Sequence, residues 1–259
     1  MESLLETFFP DQFCILGVVG LLLLLIAEIG YRMGKRVPAR EDEAAKSEIG
    51  GYQGAVLGLL ALLLGFTFSM ALNHYDLRRN LVVQEANSIG TTYLRASFLP
   101  GEARDVSRRL LRDYVGLRVR DAGALADQSS LHKQVAGIQA ALWKQAEGAA
   151  GVAPTPITVS YIASLNEMID LASTRLAAVR YRVPGALWLL LLIVALFGMW
   201  AAGFSAGVNG KRAIFLTVGL PVLITLVLLL ISDISSPQRG FILNDESSML
   251  ELRDSLKLP

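Results

Sequence analysis

Apolar residues in this chain are gathered into four runs: Phe13 to Ile29, Tyr52 to Leu72, Gly185 to Gly203 and Ala213 to Ser232. Each is long enough to cross a hydrocarbon core of about 30 Å as a helix. The second run does not stop where its hydrophobicity stops. From His74 to Arg95 it turns amphipathic, and no proline intervenes before Pro100. The pattern predicts one helix from Tyr52 to Leu99 that crosses a bilayer and continues into water, with Gly90 its weakest point. At 1.5 Å per residue, roughly fifty residues reach about 70 Å.

Between the second and third runs lies a polar insertion, Gly101 to Val183, in which nothing alternates with period two. Val106, Leu110, Tyr114 and Leu117 recur at helical spacing, with Arg104, Arg108, Arg112 and Arg118 around them. Ser129 or Ser130 caps a second helix striped by Leu131, Val135, Ile138 and Leu142. A loop from Gly148 to Pro156 precedes a third helix, Ile157 to Arg182, with Ile162, Leu165, Ile169, Leu176 and Val179 as its apolar face. The expected fold class is all-α: an integral membrane protein with four transmembrane helices and a helical extramembrane insertion between the second and third. Residues 1–73 hold the first two spans and 74–183 the insertion that continues the second helix, read as too small for a separate domain. The third and fourth spans fill 184–232, and 233–259 are a tail with a short amphipathic helix.

Composition supports this reading. The chain has 259 residues, 53% of them hydrophobic and 18% charged, with a mean hydropathy of +0.47. Such an excess carried by a few long runs marks a polytopic membrane protein in contact with lipid. A net charge of +1 gives no field for nucleic acid. The lone Cys14 excludes an intrachain disulfide, and His74 and His132 form no metal-type cluster. No cofactor is implied. The acidic stretch Met1 to Asp11 lacks a basic n-region, so the first run reads as a retained span.

Local details refine the spans. Glu28 lies one helical turn before Arg32, a spacing that pairs them at the interface rather than marking a proton relay. Gly54 and Gly58 form a GxxxG pattern suited to close helix packing. Pro184 opens the third span, and Trp188 and Trp200 mark its ends. The short links carry Arg32, Lys35, Arg36, Arg40, Lys46, Lys211 and Arg212. Weighting the first span, this charge puts the links in the cytoplasm and the insertion outside.

Two polar constellations carry candidate chemistry. Tyr75, Asp76, Arg78, Glu85, Asn87 and Arg95 sit on the amphipathic half of the long helix and read first as a structural hydrogen-bond network. Asp233, Pro237 and Gly240 follow the fourth span and read as the turn that ends it. No nucleophile–base pair, metal set or phosphate loop is readable, so no enzyme is expected.

These residues, with Leu64-Gly-Phe66, Tyr75-Asp-Leu-Arg78, Glu85-Ala-Asn through Tyr-Leu-Arg95, and the Asp233…Pro237…Gly240 exit, resemble the bestrophin-like family of bacterial membrane proteins of unknown function. A looser similarity reaches the bestrophins, pentameric anion channels whose second span lines an apolar neck. The resemblance implies a bacterial inner-membrane, multi-pass homo-oligomer, with five copies as in those channels, an inorganic anion as its passenger and the insertion in the cytoplasm, against the charge count. Carried over by position, it turns Leu62, Phe66 and Ser69 towards a pore. The calcium-binding acidic turn of the bestrophins is not matched by Ser235-Ser-Pro-Gln-Arg-Gly240, so calcium gating is not carried over. The alternative is a non-conducting scaffold or sensor whose insertion binds a partner.

Overall fold

The computed structural model describes residues 12–37, 43–123, 128–179, 181, 183–210, 214–235 and 246–256. Among these it contains eight α-helices and no strand. In chain order they are α1 (Gln12–Arg36), α2 (Glu43–Ala96), α3 (Gly101–Gly123), α4 (Gln128–Val152), α5 (Pro156–Val179), α6 (Gly185–Val208), α7 (Ile214–Ser235) and α8 (Ser247–Leu256). Four of them, α1, α2, α6 and α7, are long and apolar enough to cross a membrane. The chain divides into two compact units, residues 1–73 with 182–236 and residues 74–181 with 237–259.

The long helix forms as the proline-free pattern requires. α2 runs 54 residues without a turn or strand, starting nine residues before Tyr52 and ending three before Leu99. At 1.5 Å per residue it is about 80 Å long. It stops where Ser97, Phe98 and Leu99 donate to carbonyls three residues back, just before Pro100. Gly101 then opens α3 at φ 58, a conformation that favours glycine.

In the first unit, α1 packs on α6 through glycines rather than bulky side chains. A Cβ at Gly30 would overlap the carbonyl of Trp200, and one at Gly34 that of Phe204. Reciprocally, a Cβ at Gly203 would meet the carbonyl of Ala27, and one at Gly207 that of Tyr31. Two GxxxG pairs therefore face each other and bring the two backbones into contact. Gly54 and Gly58, the pair singled out from sequence, have nothing within 4 Å of such a Cβ. The motif is the same; what differs is that, among the described residues, only Gly30, Gly34, Gly203 and Gly207 meet the backbone of another helix. Leu23, Ala27, Leu60, Leu191, Ala195, Met199, Ile224 and Leu228 fill the rest of this core. Arg32 Nε donates to Glu28 Oε1 at 2.9 Å, the pairing their spacing predicts.

Pro184 precedes α6 with φ −55 and ψ 137, and its carbonyl accepts from Leu187 N at 3.0 Å. Pro221 lies inside α7, where its own carbonyl accepts from Thr225 Oγ1 at 2.8 Å.

The second unit has its own core, which the insertion alone was not expected to supply. Ile89 and Tyr93 of α2 pack with Leu111 and Tyr114 of α3, Leu142 of α4, Leu165 and Met168 of α5, and Met249 and Leu256 of α8. The tail helix thus completes the unit that the insertion begins. α4 continues to Val152, so Gly148 is helical rather than loop. Thr155 caps α5, its Oγ1 accepting from Thr158 N at 3.3 Å, and Pro156 occupies the first turn.

Candidate functional site

Glu85 is the centre of a buried charge network in the second unit. It lies on the inward face of α2 with Ile89 and Thr92, and its residue is 0% exposed. From α3, Arg118 donates Nε to Oε1 at 2.7 Å and Nη2 to Oε2 at 2.9 Å. From α5, Arg175 Nη1 donates to Oε2 at 2.8 Å. Tyr114 Oη donates to Oε1 at 3.2 Å and accepts from Gln139 Nε2 at 3.4 Å. One carboxylate therefore accepts four hydrogen bonds from two helices, which is what keeps an ion this deeply buried charged.

Arg175 reaches further. Its Nη2 also pairs with Glu246 Oε1, so a single guanidinium bridges two carboxylates and ties the start of α8 to α5 and α2. Burial raises the Glu246 carboxyl above its ordinary range, and the Arg175 charge only partly opposes that. Burial and then the Glu85 charge push the Tyr114 phenol up, so it stays a hydrogen donor.

The remaining residues expected in the network are spread over different surroundings. Arg95 Nη1 donates to the Ser160 carbonyl at 2.9 Å, a second and separate α2–α5 link. Arg78 is buried, Tyr75 half-buried, and Asp76 and Asn87 exposed. Asp233 is buried in the first unit, while Pro237 and Gly240 lie outside the described residues. Tyr114 and Arg175 escaped the sequence reading as partners of Glu85, as did Gln139, which bonds Tyr114, and Glu246, which pairs with Arg175. Arg118 stands in the sequence among the arginines around the apolar row of α3, one helical turn after Tyr114. That spacing was the available signal.

The opposite face of α2 is uncovered. In the first unit it presents Leu62 (54% exposed), Phe66 (64%), Ser69 and Asn73, each three or four residues from the last. In the second unit it presents Asn80, Gln84, Asn87 and Thr91 at the same spacing. Among the described residues no group of three or more His, Cys, Asp or Glu could hold a metal ion.

A family model, the bestrophin-like domain, matches residues 21–243. The fold is similar to crystal structures of a bacterial bestrophin homologue from Klebsiella pneumoniae. One mutant form is 17% identical, with a TM-score of 0.65 over 95% of this chain and 98% of that one. Another structure of it, phased on zinc, is 16% identical with a TM-score of 0.64 over 95% and 97%. At these identities the likeness is one of fold. No curated protein matches the chain.

Proposed function

The chain belongs to the bestrophin-like family, and from that premise we propose that it is an oligomeric channel of the bacterial inner membrane that conducts small inorganic anions. The observation that carries this is the uncovered face of α2 in the first unit. Leu62 and Phe66 alone could face lipid, but Ser69 and Asn73 continue the same row with polar groups. Facing hydrocarbon, those groups lose water with no replacement, whereas an aqueous axis shared by several copies keeps them hydrated.

Around such an axis, Leu62 and Phe66 make the narrow apolar ring and Ser69 and Asn73 its polar mouth. A dry ring of this kind stops ions that cannot shed their water there. The row Leu62, Phe66, Ser69, Asn73 carries no acidic side chain, and its amide N–H groups can solvate an anion. Gly54, Gly58 and Gly65 leave open space beside the helix, where a neighbouring copy can approach closely. Five copies, as in the bestrophins to which the chain bears a looser similarity, are the number this reading expects.

The test is a mass measurement in detergent combined with anion flux and reversal potential in liposomes. An oligomer with an anion-selective current supports the reading. A monomer, or a cation-selective current, overturns it. An oligomer without flux favours the scaffold or sensor.

A further inference from the structure

The two carboxylates of the buried charge network are held in opposite ways. Glu85 accepts four hydrogen bonds and is sealed from water. Glu246 sits at the rim, its side chain 16% exposed, so protons can reach it. Its Oε1 accepts from Arg175 Nη2. Its Oε2 is shut from water and has no hydrogen-bond partner among the described residues. An anion in that position loses hydration at Oε2 with nothing in return, whereas a neutral carboxyl loses far less. The charged groups acting on Glu246 come from three helices: Arg175 of α5, Arg118 of α3 and Glu85 of α2. The two guanidiniums favour the anion, Glu85 opposes it, and burial outweighs the guanidiniums. On α8 itself, Arg253 is taken by Asp254 at 3.0 Å. Of the two carboxylates, Glu246 is therefore the one that takes up a proton.

The helix that Glu246 leads into is built to detach. α8 has ten residues, and an isolated helix of that length does not persist in water. It is held by Met249 and Leu256, both buried in the core of the second unit. Leu252 lies over Gly90 of α2, where an added Cβ would stand 3.4 Å from Leu252 Cδ1. That is the point of α2 with the weakest helical preference. Detachment leaves no stranded charge inside: Arg175 Nη1 stays on Glu85 Oε2 at 2.8 Å, and Glu246 moves into water. The Glu85–Arg118 pair, by contrast, cannot part without stranding a buried ion.

We propose that α8 is a proton-controlled strap, docked over Gly90 of α2 while Glu246 carries a proton and loosened when that proton is lost. The protonated carboxyl keeps its Oε1 on Arg175 Nη2, so docking in acid retains that bond. By linkage, a proton held more tightly in the docked state strengthens docking. Docking is strongest below the ordinary glutamate range and weakens as pH rises from there through the docked pKa. The strap is a property of the second unit alone and holds whether or not the protein conducts.

The experiment is hydrogen–deuterium exchange of the full chain in nonionic detergent between pH 4 and 8. Each rate is referred to the intrinsic exchange rate at the same pH. Protection of the α8 amides is expected to fall as pH rises, approaching tenfold per pH unit at its steepest, the limit for one proton. Peptides of α3 should keep their protection. Glu246→Gln is expected to hold α8 at its acid level of protection throughout. Met249→Ala should lower α8 protection at every pH, because it weakens docking itself. Protection of α8 that is flat, or that rises with pH, overturns the proposal. So does an unchanged pH slope in Glu246→Gln, α8 protection untouched by Met249→Ala, or a fall in α8 matched by an equal fall in α3.

Discussion

Arg118 grips Glu85 through two parallel hydrogen bonds, Nε to Oε1 at 2.7 Å and Nη2 to Oε2 at 2.9 Å, between α3 and the inward face of α2. Both side chains are almost wholly shut from water. Removing one partner strands the other charge, which typically costs about 3–5 kcal/mol. Glu85→Gln and Arg118→Met should each lower the melting temperature sharply in detergent. The double variant should lose less than the two singles together. Strict additivity in that cycle would mean that the two residues act independently.

The α1–α6 contact makes a different prediction. At Gly203 an added methyl group meets the backbone carbonyl of Ala27, which no rotamer change can relieve. Overpacking commonly costs about 1–3 kcal/mol, and a backbone clash belongs at the upper end. Gly203→Ala should therefore destabilise the protein, whereas Gly148→Ala, exposed inside α4 with open space around it, should leave the melting temperature unchanged or raise it. Equal losses from the two variants would show that the backbone contact at Gly203 is not what limits that position.

Glu246 gives the pH dependence. Its carboxyl is raised above the ordinary value, about 4.3 in an unfolded chain. The folded state therefore holds this proton more tightly than the unfolded one. Its contribution to stability is present at low pH and is lost as pH rises from the ordinary glutamate range through the folded pKa. Glu246→Gln, a permanent mimic of the protonated form, should gain stability relative to the parent across that rise. Melting curves of both proteins between pH 4 and 8 check this. A parent that gains on the variant instead would mean that the Arg175 pair outweighs burial.

Phe66 tests the channel. If it forms the narrow ring, Phe66→Ala should widen and wet that ring and raise anion flux into liposomes. A lowering of the barrier by ~1.4 kcal/mol gives roughly a tenfold increase. Subunit number, followed by size measurement in parallel, should not change. Lost stability with unchanged flux would assign Phe66 to ordinary packing.

Sequence alone determined the elements of this protein. Four apolar runs, a second run that turns amphipathic without a proline, and an insertion of helical periodicity are local properties. They suffice for four membrane helices and for the continuity of α2 from Glu43 to Ala96. Which faces turn inward was decided only by tertiary structure. On α3 the buried row is Ser107, Leu111, Tyr114 and Arg118, not Val106, Leu110 and Leu117. On α5 it is Tyr161, Leu165, Met168 and Ala172, while Leu176 is exposed. Counting apolar residues finds Tyr114 and Leu165 but turns the rest of each row by about one position, because it gives no inward place to a polar or charged side chain such as Ser107 or Arg118. Arg118 belongs inside only because Glu85, thirty-three residues earlier, supplies its countercharge there. The glycines follow the same logic. Gly54 and Gly58 read like Gly30 and Gly34, and the difference between them is a backbone on a distant helix that no local pattern contains.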